Sequence, residues 1–395
     1  MRGVDAVDEA GEKLREAISA HLISIGVDAN APEVSDTLAS ALSKEAVRGM
    51  HAGARAERIA AEATFIRAHI GDLRSALASG RDLVPEKIRP ILIEVKPGTR
   101  ESELFRLATK LWSVPVSRGF GRRLRYLVWD AEHEALIGLF AIGDPVFNLS
   151  SRDKWVGWDV EDRRERLVHV MDAYVMGAVP PYSGLIGGKL VASLAASNEV
   201  RTAYDRKYGE RTSVIRQVSR KAPLVLLTTT SALGRSSLYN RLRLPDGPRF
   251  DRIGSTKGYG HFQFSSEVFG LMRQYLSEIE HPYASGNRFG DGPNWRLRVA
   301  RAALREIGMD ERALLNHGVS REVYVAPLAK NWRDILLGQT TLAEHYDWSA
   351  DAISKSCLNR WVIPRAARDE SYRDFDPESV CAGLLGQLPV SSVDR

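Results

Sequence analysis

DAYVMGAVPPYSGLIGGKLVASLAASNEV, residues 172–200, decides the fold class of this chain. Its first eight residues are an apolar run stopped by Pro180 and Pro181, which reads as a buried strand. Ser183 to Lys189, with glycines at 184, 187 and 188, reads as a turn, because such positions demand glycine. LVASLAASNEV then reads as a helix that opens straight from that turn. Strand, glycine-rich turn and helix in succession point to a layered sheet-and-helix core.

Working outward, RLRYLVWD (123–130) and ALIGLFAIGD (135–144) are apolar runs joined by AEHE, and are expected to form a β-hairpin. ESELFRLATKLW, before them, reads as a helix. Downstream, PLVLLTTT (223–230) is a further strand. A Gly-Arg-Ser-Ser turn leads into a short helix, SSLYNRLRL, and FDRIGSTKGYGHFQF supplies one or two closing strands. Residues 1 to about 80 look helical, with Leu14, Ile18, Leu22 and Ile25 on one stripe. Pro85, Pro90 and Pro97 mark a boundary near residue 95. Beyond residue 265 the pattern returns to helices, in EVFGLMRQYLSEI and NWRLRVARAALREIG. The expected architecture is α+β: an N-terminal helical region (1–95), a core with a central mixed sheet (96–265) and a C-terminal helical region (266–395).

The chain has 395 residues, with 55 Lys and Arg against 50 Asp and Glu, a net charge of +5 that permits a nucleic-acid partner without requiring one. Cys357 and Cys381 make neither a disulfide framework nor a zinc site, so a cytoplasmic location is expected. The charged N-terminus is no secretory signal, and no apolar run of about 18 residues exists to span a membrane.

The order hairpin, strand, glycine-rich loop, helix, strand, helix, strand resembles that of the GNAT-type N-acyltransferases. The resemblance implies a sheet of GNAT-like topology and a loop whose amides, with the helix N-terminus behind them, hold the diphosphate of acetyl-CoA or another acyl-CoA. Val179, Ser183, Gly184, Gly187, Gly188 and Lys189 are the corresponding cofactor-binding residues, with Gly184 standing where the family places Gln or Arg. Tyr239 falls where the family carries a tyrosine that protonates a departing thiolate. A base must then deprotonate the acceptor, and Asp172 and Asp144 are the candidates. The bland reading gives Tyr239 a packing role and both aspartates a turn or cap. A nucleotide-binding P-loop does not fit, because Ser183 and Leu190 occupy two of its required positions. His261 reads as structural, and no metal site is expected.

Basic residues interleave with aromatics between Lys110 and Tyr126, where Arg118, Arg122, Arg123 and Arg125 accompany Trp112, Phe120 and Tyr126. Arg298 and Arg301 share one side of a C-terminal helix. Such groups suit phosphate contacts and base stacking, or form a solvated cationic face. Asp144, Asn148, Asp153, Trp158, Asp159 and Arg163 bunch around one loop, as a pocket lining or a structural polar cluster.

Longer strings carry a second resemblance. LWSVPVSRGFGRRLRYLVWD, RDKWVGWDVEDRRERLVHVMDAYVMGAVPPYS, GRSSLYNRL, HPYASGNRFGDGPNWRLR and REVYVAPLA are similar to the Druantia anti-phage A-protein family, over roughly residues 95–365. That resemblance implies phage defence beside helicase-type partners and supplies no catalytic residues. Three functions follow: an acyltransferase-like protein acting on or recognising nucleic acid or a phage product, a non-catalytic nucleic-acid-binding adaptor, and a nuclease using Asp144, Asp153 and Asp159 with Mg²⁺.

Overall fold

The computed structural model describes residues 4–24, 43–117, 119–209, 222–261, 263–284 and 295–389. The chain forms two compact units interleaved in sequence, which cut it differently from three consecutive regions. The first comprises residues 1–58, 113–115 and 256–321, and the second 59–112, 116–255 and 322–395.

The first unit is helical. In the helix Val4–Ser24, Leu14, Ile18 and Leu22 are buried on the expected stripe, while Ile25 lies outside the described residues. They pack with Val268, Met272 and Leu276 of the helix Ser266–Glu278 and with Val299, Ala303 and Leu304 of the helix Trp295–Glu306.

The second unit is built on a seven-stranded mixed sheet. Its strands are β1 (Pro90–Glu94), β2 (Arg123–Asp130), β3 (Ala135–Gly143), β4 (Val170–Ala178), β5 (Leu226–Thr230), β6 (Asp251–Ser255) and β7 (Glu322–Pro327). They lie in the order β1-β2-β3-β4-β5-β7-β6. The β2–β3 hairpin forms as expected, and among the described residues β4 and β5 are the only parallel neighbours. Alternation along the strands divides the core between two faces. One face carries Tyr126, Phe140, Ile142, Met171 and Ala173 under the helices Gly187–Leu194, Asn198–Tyr208 and Ala350–Cys357. The other carries Leu127, Leu139, Ala141 and Val175 under the helices Ala63–Ala76, Arg100–Ala108 and Pro377–Leu385.

Three expectations need correction. The boundary at 95 leaves β1 in a region expected to be helical, although Pro90–Glu94 pairs along its whole length with β2. The C-terminal region, likewise expected to be helical, supplies β7, which separates β5 from β6. EVYVAP is short and apolar, a pattern that periodicity alone does not distinguish from a buried helical turn. Third, SSLYNRLRL is a series of turns. The Ser236 hydroxyl accepts from the amides of Leu238 and Tyr239, and Arg241 sits at φ +58°, so local bonding wins over helix formation.

Candidate functional site

The parallel pair β4–β5 is short. Val170, Met171 and Asp172 pair with Leu226, Leu227 and Thr228, after which the two strands part. β4 runs on to Ala178, laddered among the described residues with β3, and that ladder is irregular where Tyr174 has no partner opposite Ala141 and Ile142. Beyond the fork, the β5 side of β4 meets Thr229, whose hydroxyl donates to the Ala173 carbonyl at 2.9 Å.

Asp172 sits at the fork. Thr228, opposite it across the ladder, donates its hydroxyl to Asp172 Oδ1 at 2.6 Å. Its second oxygen accepts no hydrogen bond from the described residues, and the side chain is half-buried. Burial raises the carboxyl pKa to about 6, partly opposed by the Thr228 bond and the Arg152 charge. Arg152 is wholly buried, held by Asp153 at 2.7 Å and by the carbonyls of Val146 and Phe147. Neither Thr228 nor Arg152 was picked out by the sequence. The run Thr228-Thr229-Thr230 at a strand end was the available signal for the first, and SSRDKW offers none for the second.

Tyr239 lies in the core on the opposite face, stacked against Phe250 and tilted on Tyr324. Its hydroxyl is 3.4 Å from Thr229 Oγ1, and burial pushes its pKa up to about 12. Asp172 and Tyr239 therefore flank the fork from its two sides. Asp144 does not join them. Its carboxylate accepts from the Arg122 guanidinium at 2.6 Å and from the Arg122 amide at 3.0 Å.

Five amides of the glycine turn are committed to nearby carbonyls. The amides of Ser183, Gly184, Leu185, Gly187 and Lys189 donate to carbonyls of Val179, Pro181, Tyr182, Tyr182 again and Ile186, at 2.9–3.1 Å. Lys189 Nζ donates to the carbonyls of Leu238 and Asn240, both at 2.9 Å, with Trp361 beneath it. A Cβ at Gly188 would lie 3.0 Å from Leu238 Cδ1, a tight contact that a small shift of that side chain relieves. Tyr182 anchors the turn through Asp130, a fully buried carboxylate that also accepts from the Arg89 amide and His133 Nδ1. Five amides of the turn and the Lys189 ammonium are thus committed to local carbonyls, which leaves little of the turn to hold a diphosphate.

The arginines expected at a nucleic-acid surface separate. Arg118 lies outside the described residues. Arg122 is an internal clamp, donating to Asp144, to the carbonyls of Val168 and Val170, and to the Tyr204 hydroxyl. Arg123 is exposed, and Arg125 lies against the Phe105 ring. Arg298 is exposed, while Arg301 bonds Tyr259 and pairs with Glu311. Arg298 and Arg301 belong to the first unit and the others to the second. The acids of the nuclease reading are spent elsewhere. Asp153 pairs with Arg152 and Arg163, Asp159 caps the helix Val160–Arg166, and no group of three metal-ligating side chains converges among the described residues.

The family model for the Druantia protein DruA matches residues 41–338. A Druantia protein DruA from Escherichia coli (strain UMEA 4076-1) is 45% identical over 364 residues, covering 91% of this chain and 89% of that protein. No solved structure matches.

Proposed function

The chain belongs to the Druantia protein DruA family of anti-phage defence, and from that premise we propose that its sheet is an N-acyltransferase-like scaffold with Asp172 as proton acceptor. The carrying observation is the fork: β4 and β5 part after Asp172, leaving a carboxyl with a pKa near 6 at the apex. The strand order, the single parallel pair and the irregularity in β4 support a GNAT-like topology. The turns in place of a helix after β5, and the 66 residues between β6 and β7 that belong to the other unit, are departures from it.

Such a carboxyl is half ionised at about pH 6 and mostly ionised at neutral pH, matched to taking a proton from an attacking amine or hydroxyl. Thr228 holds one oxygen and leaves the other for the acceptor. Tyr239, protonated at neutral pH, is the proton donor on the far side of the fork. Acetyl-CoA or another acyl-CoA is the donor class, and nucleic acid or a phage product the acceptor class. As a component of a Druantia system the protein works beside other defence proteins, with helicase-type partners proposed. No described helix is long and apolar enough to cross a membrane.

A second reading, a nucleic-acid-binding adaptor, draws on the exposed Arg123 and Arg298. The two separate by following free thiol release from acetyl-CoA across pH. The transferase reading expects a rate that rises through about pH 6 and falls at least about tenfold in Asp172→Asn. Release that is absent, or indifferent to Asp172→Asn, leaves the adaptor, which salt-dependent DNA retention then tests.

A further inference from the structure

The helical unit holds a cluster of imidazoles and guanidiniums. His51 lies on the helix Lys44–Ala61 and Arg296 in the first turn of the helix Trp295–Glu306, while His261 follows β6 and His317 and Arg321 precede β7. All five belong to the first unit. Arg321 Nη2 lies 3.2 Å from His51 Nε2, so that ring nitrogen is the acceptor. His317 Nδ1 accepts from the Val319 amide at 3.1 Å, so the neutral ring carries its proton on Nε2. That Nε2 lies over Gly260, 3.2 Å from where a Cβ would stand and one residue from His261. The Arg296 guanidinium sits 4.3 Å over the Phe269 ring, and among the described residues its buried Nε has no hydrogen-bond partner.

These groups repel one another's charge. Burial, then Arg321 and Arg58, lowers the His51 pKa to about 4. Burial and Arg296 lower that of His261 to about 4, and burial, Arg321, His51 and His261 lower that of His317 to about 3. Burial lowers the guanidinium pKa of Arg55 and Arg321 as well. Glu57, which accepts from the Ser266 amide at 3.1 Å, is the acid that acts on Arg296, where burial is the larger influence. Like charges gathered out of water are unfavourable, and a bound anion reverses the sign of every such interaction. His51 is buried and the other four are half-buried, so the cluster is reached from solvent.

Guanidiniums present forked donors that match phosphate oxygens, and imidazoles add both N–H donors and protons. We propose that His51, His261, Arg296, His317 and Arg321 form a binding site for a phosphate monoester dianion, the terminal phosphate of a nucleotide or of a nucleic-acid end. A phosphodiester brings one charge and lies between two sugars, a poorer match to a part-buried cluster. A metal is not the occupant expected, since no group of three metal-ligating side chains converges among the described residues. Binding of a dianion turns repulsion at each ring into attraction, so it draws protons from solvent. The site belongs to the first unit and the fork to the second, so its failure leaves the transferase reading untouched.

The test is calorimetry of the full chain with thymidine, thymidine 5′-monophosphate, and a short oligothymidylate with and without a 5′-phosphate, at fixed ionic strength and in two buffers of different ionisation enthalpy. The 5′-phosphate is expected to tighten binding at least about tenfold, with net proton uptake at pH 7. A gain on the mononucleotide alone identifies a free nucleotide as the ligand, and a gain on the oligonucleotide alone identifies a nucleic-acid end. Arg296→Gln, at a half-buried side chain, is expected to remove most of that gain while the melting temperature stays within about 3 °C, and Arg296→Lys to restore part of it. A 5′-phosphate that adds nothing to either ligand, a gain that persists in Arg296→Gln, or binding without proton uptake overturns the proposal.

Discussion

Replacing Arg122 by alanine is expected to weaken folding far more than it weakens any nucleic-acid contact. The side chain is 18% exposed and Asp144, its partner, 29%. Its Nε lies 2.6 Å from Asp144 Oδ1, and its Nη atoms lie 2.6 Å from the Val168 carbonyl and 3.1 Å from that of Val170, with Tyr204 as a fourth acceptor. These bonds lash the residue before β2 to the entry of β4, at Val168 and Val170, four and two residues before Asp172. Charge-assisted bonds contribute about 1.5–3 kcal/mol each, but the sum overshoots, because partners are shared. Val168 keeps a bond from the Tyr204 hydroxyl at 2.9 Å, and Asp144 keeps the Arg122 amide at 3.0 Å. A net loss of about 3–5 kcal/mol is expected, the usual cost of removing one partner of a buried pair. Urea unfolding of the full chain measures it, with Lys154→Ala, a substitution at an exposed position, expected to change stability by no more than about 0.5 kcal/mol. An Arg122→Ala variant within about 1 kcal/mol of wild type, but defective in DNA retention, refutes the clamp and restores Arg122 to a binding surface.

Acid should loosen the helical unit. His51, His261 and His317 have pKa values depressed by burial from 6.5 to about 4, 4 and 3, so each binds fewer protons folded than unfolded. Stability is therefore intact above pH 6.5 and lost as pH falls toward 4, and His317→Asn should flatten the fall in melting temperature between those values. Gly138→Ala should lower the urea midpoint by an equivalent of about 1–3 kcal/mol, since its Cβ would come within 2.4 Å of the Gly177 carbonyl oxygen and neither backbone can yield. Tyr182→Phe removes a 2.9 Å bond to the buried Asp130 carboxylate; a cost of about 1–3 kcal/mol is expected in the same assay, and a neutral result means that the anchor of the turn lies elsewhere.

Much of the sheet was legible because its signals are local. The hairpin runs 123–130 and 135–143 alternate between two cores and turn at the residues between them, and β4 and β5 are apolar runs with clear ends. β1 and β7 were hidden because strands of five or six residues acquire their identity only from the partners they meet, here Tyr126–Asp130 and Leu226–Thr230. The site was legible in part. Asp172 and Tyr239 do reach the fork, from opposite faces, but composition could not reveal that Arg122 and Asp144 would find each other or that Lys189 would be spent on carbonyls. Glycines 187 and 188 look alike in the sequence for a phosphate cradle and for a tight joint, and the close approach of the Tyr182 carbonyl to Gly187 is a packing demand that only the folded chain displays.

The carboxyl at the fork is accessible to one direct measurement: the pH titration of ¹³C-labelled aspartate carboxyl resonances in the folded chain. One resonance, absent from Asp172→Asn, should titrate at about 6. If instead that resonance titrates below about 4.5, as a solvated aspartate does, no base is poised at the parting of β4 and β5 and the chemistry assigned to it is contradicted.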